Sequence, residues 1–283
     1  MRNARRAQSA VEYIILLAGA LLIVVLAIAV FQQMQGRSAK QIEAGVQKHA
    51  QLVCAPLYDT SPQTTVIAWK MHEGQGDTVA DSSYNKNPGR ITGAADWLEQ
   101  EKCRHVHCVR FKGTEDNYVE SSAEARLGSG GVTAEAWYTP PLLQPGQHLQ
   151  TIVYRETPFL RLAIDFTVPG GPVMTPFSGT TSFQVRTANG VVSISVPGLE
   201  YELRPYHLAA TYDAASKMIS LYRDGQLIDS QPTEEQPLDT GPGKIYTGMP
   251  GGPHLKGWAS DAAVYTRALS PEEIEREVEC YPV

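Results

Sequence analysis

Eighteen consecutive residues, Ile14 to Phe31, contain neither a charge nor a proline. As a helix rising ~1.5 Å per residue they reach roughly 27 Å, close to the ~30 Å hydrocarbon core of a bilayer. A helix buried in a soluble core would keep a polar face, and this run has none. Arg2, Arg5 and Arg6 precede it and no basic residue follows immediately. The positive-inside rule then puts the N-terminus in the cytoplasm and everything after Phe31 outside. Glu12 stands just before the run, where a helix N-terminus favours an anion but lipid does not.

A secretory signal peptide would require small residues and a cut after the apolar core, and Gln32-Gln33-Met34-Gln35 stands there instead. A plain anchor accounts for the hydrophobicity but leaves Glu12 without a role. The apolar pattern continues at Ile42, Val46, Ala50 and Val53, a narrow helical stripe with no proline before Pro56. The expectation is one long helix over residues 8–53. Cys54-Ala55-Pro56 and Ser61-Pro62 break it, so residues 54–65 read as a linker.

Charge divides at the same place. Residues 1–53 hold six basic and two acidic residues, a balance of +4; residues 54–283 hold 18 basic and 28 acidic, a balance of −10. Phosphates would repel so acidic a globular part, which excludes nucleic acid as its partner. All four cysteines, Cys54, Cys103, Cys108 and Cys280, lie in that part, an even number as an oxidising compartment would leave paired. Three pairings are open to them. The expected one is Cys103–Cys108, a local loop, with Cys54–Cys280 tying the two ends of the domain.

From Val66 onward, short β-branched and aromatic runs alternate with period two between glycine- and proline-rich turns. Val66-Ile67-Ala68-Trp69, Val132 to Tyr138, Leu160 to Phe166 and His207 to Tyr212 are examples. Asn189-Gly190 and Asp224-Gly225 are tight-hairpin signals between such runs. A large antiparallel β-sandwich over 66–283 follows. One late helix is marked by Ser270-Pro271-Glu272-Glu273, an N-cap, a proline at the first helical position and a capping-box glutamate. With the N-terminal helix included, the expected class is α+β.

Two resemblances attach to these residues. Arg5-Arg6-Ala7 followed by Gln8-Ser9-Ala10-Val11-Glu12-Tyr13 and the apolar run resembles a class III signal peptide of the archaeal type IV pilin superfamily. A cut between Ala7 and Gln8 makes Glu12 the fifth residue of the mature chain, where pilins carry a glutamate. The resemblance implies a leader (1–7), a prepilin peptidase as processing partner, storage in the membrane, and homo-oligomerisation through the N-terminal helices. Glu12 would meet the new α-amino group of a neighbouring subunit, since a carboxylate taken out of water needs a cation. The second resemblance rests on Trp69 to Gly76, Val79 to Asn85, Val109 to Gly113 with Tyr118-Val119, Val132 to Trp137, His207 to Asp213, Leu221 to Gly225 and Ala263 to Pro271. In that order they resemble a laminin-G-like, concanavalin A-like jelly roll. The two together imply an adhesive subunit of a pilus-like filament at the cell surface; a membrane-anchored lectin that never polymerises is the alternative.

The same sandwich occurs in glycoside hydrolases, which need two facing carboxylates. Glu135 and Asp165 are isolated and read as exposed strand residues, so no enzyme is expected. No nucleophile elbow or phosphate loop appears. Cys103 and Cys108 with His105 and His107 between them do not have structural-zinc spacing. The sandwich resemblance implies a structural calcium held by Asp81 and Asp261, against which stands the reading of both as turn caps. Trp69 and Trp137 read as core; Tyr84, Trp97 and Trp258 are the candidates for stacking on a glycan. No Asn-x-Ser/Thr sequon occurs in the chain.

Overall fold

A computed structural model describes residues 63–279, apart from 94, 100, 101, 105, 106, 115, 169–174, 235 and 236. Period-two alternation organises it. In Gly131–Thr139 (β7), Val132, Ala134, Ala136 and Tyr138 enter the core; in Tyr206–Asp213 (β12), Tyr206, Leu208, Ala210 and Tyr212 do the same. They meet Leu160, Leu162, Ile164 and Phe166 of Leu160–Val168 (β9), and Phe183 and Val185 of Phe177–Thr187 (β10). Two antiparallel sheets thus share one apolar interior, the stable solution for sheets that are apolar on one face.

The first sheet runs from Gln226–Pro232 (β14) through Met218–Arg223 (β13), β12, β7, Lys256–Tyr265 (β16) and His107–Lys112 (β5) to Asp96–Glu99 (β4). Thr65–Trp69 (β1) also pairs with β16. The second runs from Gly190–Tyr201 (β11) through β10, β9, Gly146–Arg155 (β8), Ile245–Thr247 (β15), Tyr118–Ser121 (β6) and Gly89–Thr92 (β3) to Thr78–Val79 (β2). Both hairpin expectations hold. Gly190 opens β11 directly after the β10 turn, and Asp224 and Gly225 join β13 to β14 at φ of 52° and 80°. Two positive φ values are what a turn matched to strand twist requires.

Helix α1 (Pro271–Glu279) begins as expected. Ser270 Oγ accepts the Glu273 N–H at 3.2 Å, and Glu273 Oε2 accepts the Ser270 N–H at 2.9 Å. Its buried Ile274, with Leu269, packs on Ala68, Ala209, Tyr222, Ala263 and Tyr265. Those five lie on the outer face of the first sheet, so α1 is a lid on that face.

The α+β expectation is corrected. The described residues form an all-β sandwich of sixteen strands with one short helix. The physical reason is that the main core lies between the two sheets, and the helix adds only a small apolar cluster on the outside of one of them. Among the described residues no helix is long and apolar enough to cross a membrane. The long helix expected over 8–53 lies outside the described residues.

Candidate functional site

Of the two outer sheet faces, the first is covered in part by α1, over β1, β12, β13 and the end of β16; no described helix packs on the second. Its side chains line up along one unbroken series of paired positions, clear of the bulges at Thr180 and Ile152. Thr78 faces Arg90, Arg90 faces Glu120, and Glu120 faces Tyr246. Tyr246 then faces Tyr154, Tyr154 faces Arg161, Arg161 faces Gln184, and Gln184 faces Ser193. One transverse row therefore crosses all eight strands of this sheet.

The middle of the row is aromatic. Tyr118 and Tyr246 meet edge to face at 5.7 Å, as do Tyr154 and Phe159 at 6.2 Å; Tyr246 and Tyr154 are tilted at 5.9 Å. Tyr118, Tyr246 and Phe159 are half-buried, and Tyr154 is buried beneath them. Polar groups flank the rings. Glu120 Oε1 accepts the Tyr246 hydroxyl at 3.3 Å; Arg161 lies 5.9 Å above Phe159 and donates to Gln184 Oε1 at 2.6 Å. Burial, reinforced by the Glu120 charge, pushes the Tyr246 phenol up to about 12; burial and then Glu156 raise that of Tyr154. Both hydroxyls keep their protons throughout the physiological range and remain donors. Rings bordered by fixed donors and acceptors suit a ligand with apolar faces and many hydroxyls.

The residues singled out from the sequence lie elsewhere. Asp81 is buried and fully engaged: Oδ1 accepts the N–H groups of Ala68 and Ser83, both at 2.8 Å. Oδ2 accepts the Ser83 hydroxyl at 2.6 Å and the Asn87 N–H at 2.8 Å. These four donors meet its two oxygens in the hydrogen-bonding pattern of a turn cap. Asp261 sits at a bulge in β16, at φ 49°, its N–H on Lys70 O and its carboxylate 3.3 Å from His72 Nε2. Asp81 and Asp261 flank β1 on opposite edges, since Trp69 bridges to Asp81 on one side and pairs with Ala262 on the other. Among the described residues no three His, Cys, Asp or Glu side chains are grouped to hold a metal ion.

Cys103 and Cys108 form a disulfide, with Cα atoms 5.4 Å apart. Their thiolates are thereby unavailable to zinc, and His105 lies outside the described residues. So do Ala7, Gln8, Glu12, Cys54 and Cys280.

The stacking candidates do not meet. Tyr84 is 76% exposed on the loop that Asp81 organises. Trp97 packs against the core and donates its indole N–H to Gly76 O at 2.8 Å. Trp258 stands on the outer face of the first sheet. Trp69 is a core residue; Trp137 is buried on the opposite side of its sheet, beside the His207 ring and under Arg104 at 4.6 Å.

Glu135 is corrected: it is 3% exposed, not a surface residue. Its position in β7 points under the α1 lid, where it accepts the Tyr265 hydroxyl at 2.9 Å and lies 3.5 Å from His207 Nε2. The adjoining cavity, about 20 Å³, has room for one water and no larger ligand. Asp165 is half-buried on the free face, opposite Leu149 and Thr180. It and Glu120 stand three strand spacings apart, ~14 Å before any offset along the strands, beyond the ~9.5 Å upper limit for a glycosidase pair.

Sequence reasoning missed the tyrosine row. Alternation marks Tyr118, Tyr154 and Tyr246 as outward-facing within their own strands. Their adjacency follows only from pairing among segments far apart in the chain.

Comparison with known proteins agrees with this architecture. The binding domain of botulinum neurotoxin serotype G superposes with a TM-score of 0.57 at 12% identity, over 76% of this chain and 50% of that one. The binding domain of Paraclostridial mosquitocidal protein 1 gives 0.54 at 14%, over 78% and 53%. The ligand-binding domain of botulinum neurotoxin serotype D, solved in complex with N-acetylneuraminic acid, gives 0.54 at 13%, over 78% and 52%. The chain spans about half the length of these structures, and at such identities the likeness is one of fold. No curated protein matches the chain. Residues 112–275, more than half of the chain, match the family model described as the concanavalin A-like lectin/glucanases superfamily, in its laminin G form. Sixteen antiparallel strands in two facing sheets and this match together establish that the chain belongs to the laminin-G-like branch of the concanavalin A-like superfamily.

Proposed function

We propose that the chain is a non-catalytic glycan-binding protein of the cell surface, holding a saccharide across the free face of its second sheet. The observation that carries this reading is the transverse row with its central rings, Tyr118, Tyr246, Tyr154 and Phe159, bordered by Glu120, Arg161 and Gln184. Pyranose rings stack on aromatic faces, and their hydroxyls bond to side chains of both polarities. The wide separation of Glu120 and Asp165 supports binding without hydrolysis. A fold shared with a domain solved in complex with N-acetylneuraminic acid is consistent with it. The test is a glycan array probed with the full-length chain in mild detergent, beside Tyr118→Ala and Tyr246→Ala. Specific glycans are retained by the parent and lost or weakened about thirtyfold in the variants, the ~2 kcal/mol of a hot-spot aromatic. An array that retains nothing, or variants that bind like the parent, would sink the reading.

A finer role rests on the sequence alone. The register of Arg5-Arg6-Ala7, Gln8, Glu12 and the apolar run supports display of this sandwich on a type IV pilus-like filament after cleavage by a prepilin peptidase. The alternative is a membrane-anchored lectin that does not polymerise. Filaments visible by electron microscopy, and missing when Ala7 or Glu12 is substituted, separate the two. Unaltered filaments from Glu12→Gln cells would count against a role for the carboxylate in assembly.

A further inference from the structure

Residues 54–283 carry a balance of −10, yet one part of their surface is basic. In β5, Val109 and Phe111 point into the core, so Arg110 and Lys112 point outward; in β16, Ala259 is inward, and Lys256 and Trp258 outward. Register places Lys112 directly opposite Lys256, and Arg110 directly opposite Trp258. Like charges facing each other across a strand pair are destabilising. Among the described residues one carboxylate offsets the three cations: Asp96, opposite Arg110, lies 3.0 Å from Lys112 Nζ with both side chains well exposed. At such exposure the pair leaves the local field positive.

The patch is built rather than incidental. The Lys256 backbone is held at both polar atoms by side chains: its N–H donates to Gln150 Oε1 at 2.6 Å, and its C=O accepts the Tyr138 hydroxyl at 2.7 Å. Gln150 and Tyr138 are themselves buried. A cavity of about 100 Å³ lies between Arg110, Lys112, Pro141, Lys256 and Trp258. The Trp258 indole N–H is shielded from solvent and has no acceptor among the described residues.

We propose that this groove is a second, separate site, for an acidic saccharide. The indole ring of Trp258 takes the sugar face; Lys112, Lys256 and Arg110 take its carboxylate or sulfate. A narrow cavity beside one indole matches a single charged sugar unit better than a flat lipid surface. The site lies on the sheet opposite the tyrosine row, so either can fail without the other.

The experiment immobilises dextran sulfate, polygalacturonate and neutral dextran and measures binding of the full-length chain in mild detergent. Vesicles containing anionic phosphatidylglycerol form a fourth arm. Binding to dextran sulfate, polygalacturonate or both, but not to dextran, is expected, and the stronger of the two tells sulfate from carboxylate. Lys112→Gln with Lys256→Gln weakens it at least about tenfold. Trp258→Phe also weakens it, while Leu227→Gln, at an exposed position of β14 outside both sites, leaves it unchanged. Unaltered thermal melts show that each variant is folded. Parent-like binding by the double lysine variant overturns the proposal. So does vesicle binding as strong as polymer binding and indifferent to Trp258→Phe.

Discussion

Asp81 shows what a single carboxylate contributes at a strand-to-loop junction. Its two oxygens gather donors from β1, from Ser83 and from Asn87, and so shape the loop that carries Tyr84. Asn85 and Asn87 extend that web to Thr65, Val66 and Ala123. Asp81→Ala would strand three backbone N–H groups in a buried setting. We expect a loss of roughly 3 kcal/mol in urea denaturation, because hydrogen bonds to a charged acceptor are worth more than neutral ones. Calcium titration of the parent should leave the melting temperature where it is; a rise abolished in Asp81→Ala would place a cation at this loop after all. From sequence, Asp81 was equally readable as ligand or cap. The four donors that meet its oxygens are brought there by the fold and are not visible in the sequence.

Helix α1 is legible from its first four residues and acquires its purpose only by docking. Its capping box and its Arg267 pair meet at one group, since Glu273 accepts from the Ser270 N–H and from Arg267 at 2.6 and 2.7 Å. The Arg267 hydrogen bonds hold the Glu273 carboxyl below the usual range against a smaller opposing push from burial. A carboxyl depressed in the folded state stabilises above its unfolded value of ~4.3, and that contribution is lost as pH falls through the folded value. Glu273→Gln should therefore cost about 1 kcal/mol near neutrality, a modest figure because the pair is partly exposed. The gap between variant and parent melts should close on acidification below about pH 4. A gap that persists undiminished at pH 3 would assign the effect to packing instead. Ile274→Ala addresses the lid itself: losing a wholly buried side chain should cost about 3 kcal/mol in chemical denaturation. A cost below 1 kcal/mol would mean that the helix is only loosely seated.

At the scale of the molecule, two sheets with different outer faces create a division of labour. One is closed by α1 over Glu135, His207 and Tyr265 and carries the basic groove beyond the helix; the other presents the transverse row. The row crosses eight strands, seven spacings of ~4.8 Å, and so reaches about 34 Å. A ligand lying along it should bind more tightly as its chain lengthens, up to that reach and no further. Calorimetry with a graded oligosaccharide series reads this directly. An affinity that is flat from the shortest member would confine binding to one ring pair.

The strand-and-turn grammar of the sandwich was carried by the sequence itself. Alternation marked which residues of Val132 to Tyr138 and His207 to Tyr212 enter the core, Asp224-Gly225 marked a turn, and Ser270-Pro271 marked a helix start. These are local effects of backbone sterics and side-chain period, and a few neighbouring residues suffice to express them. Tertiary structure alone decided which outward faces stay free. Glu135 and Tyr246 both point outward from a strand, yet one is sealed beneath α1 and the other lies in an open aromatic row. Alternation states only that a side chain leaves the core. What it meets on the far side depends on strands and a helix more than a hundred residues away, joined by registers that no local pattern encodes.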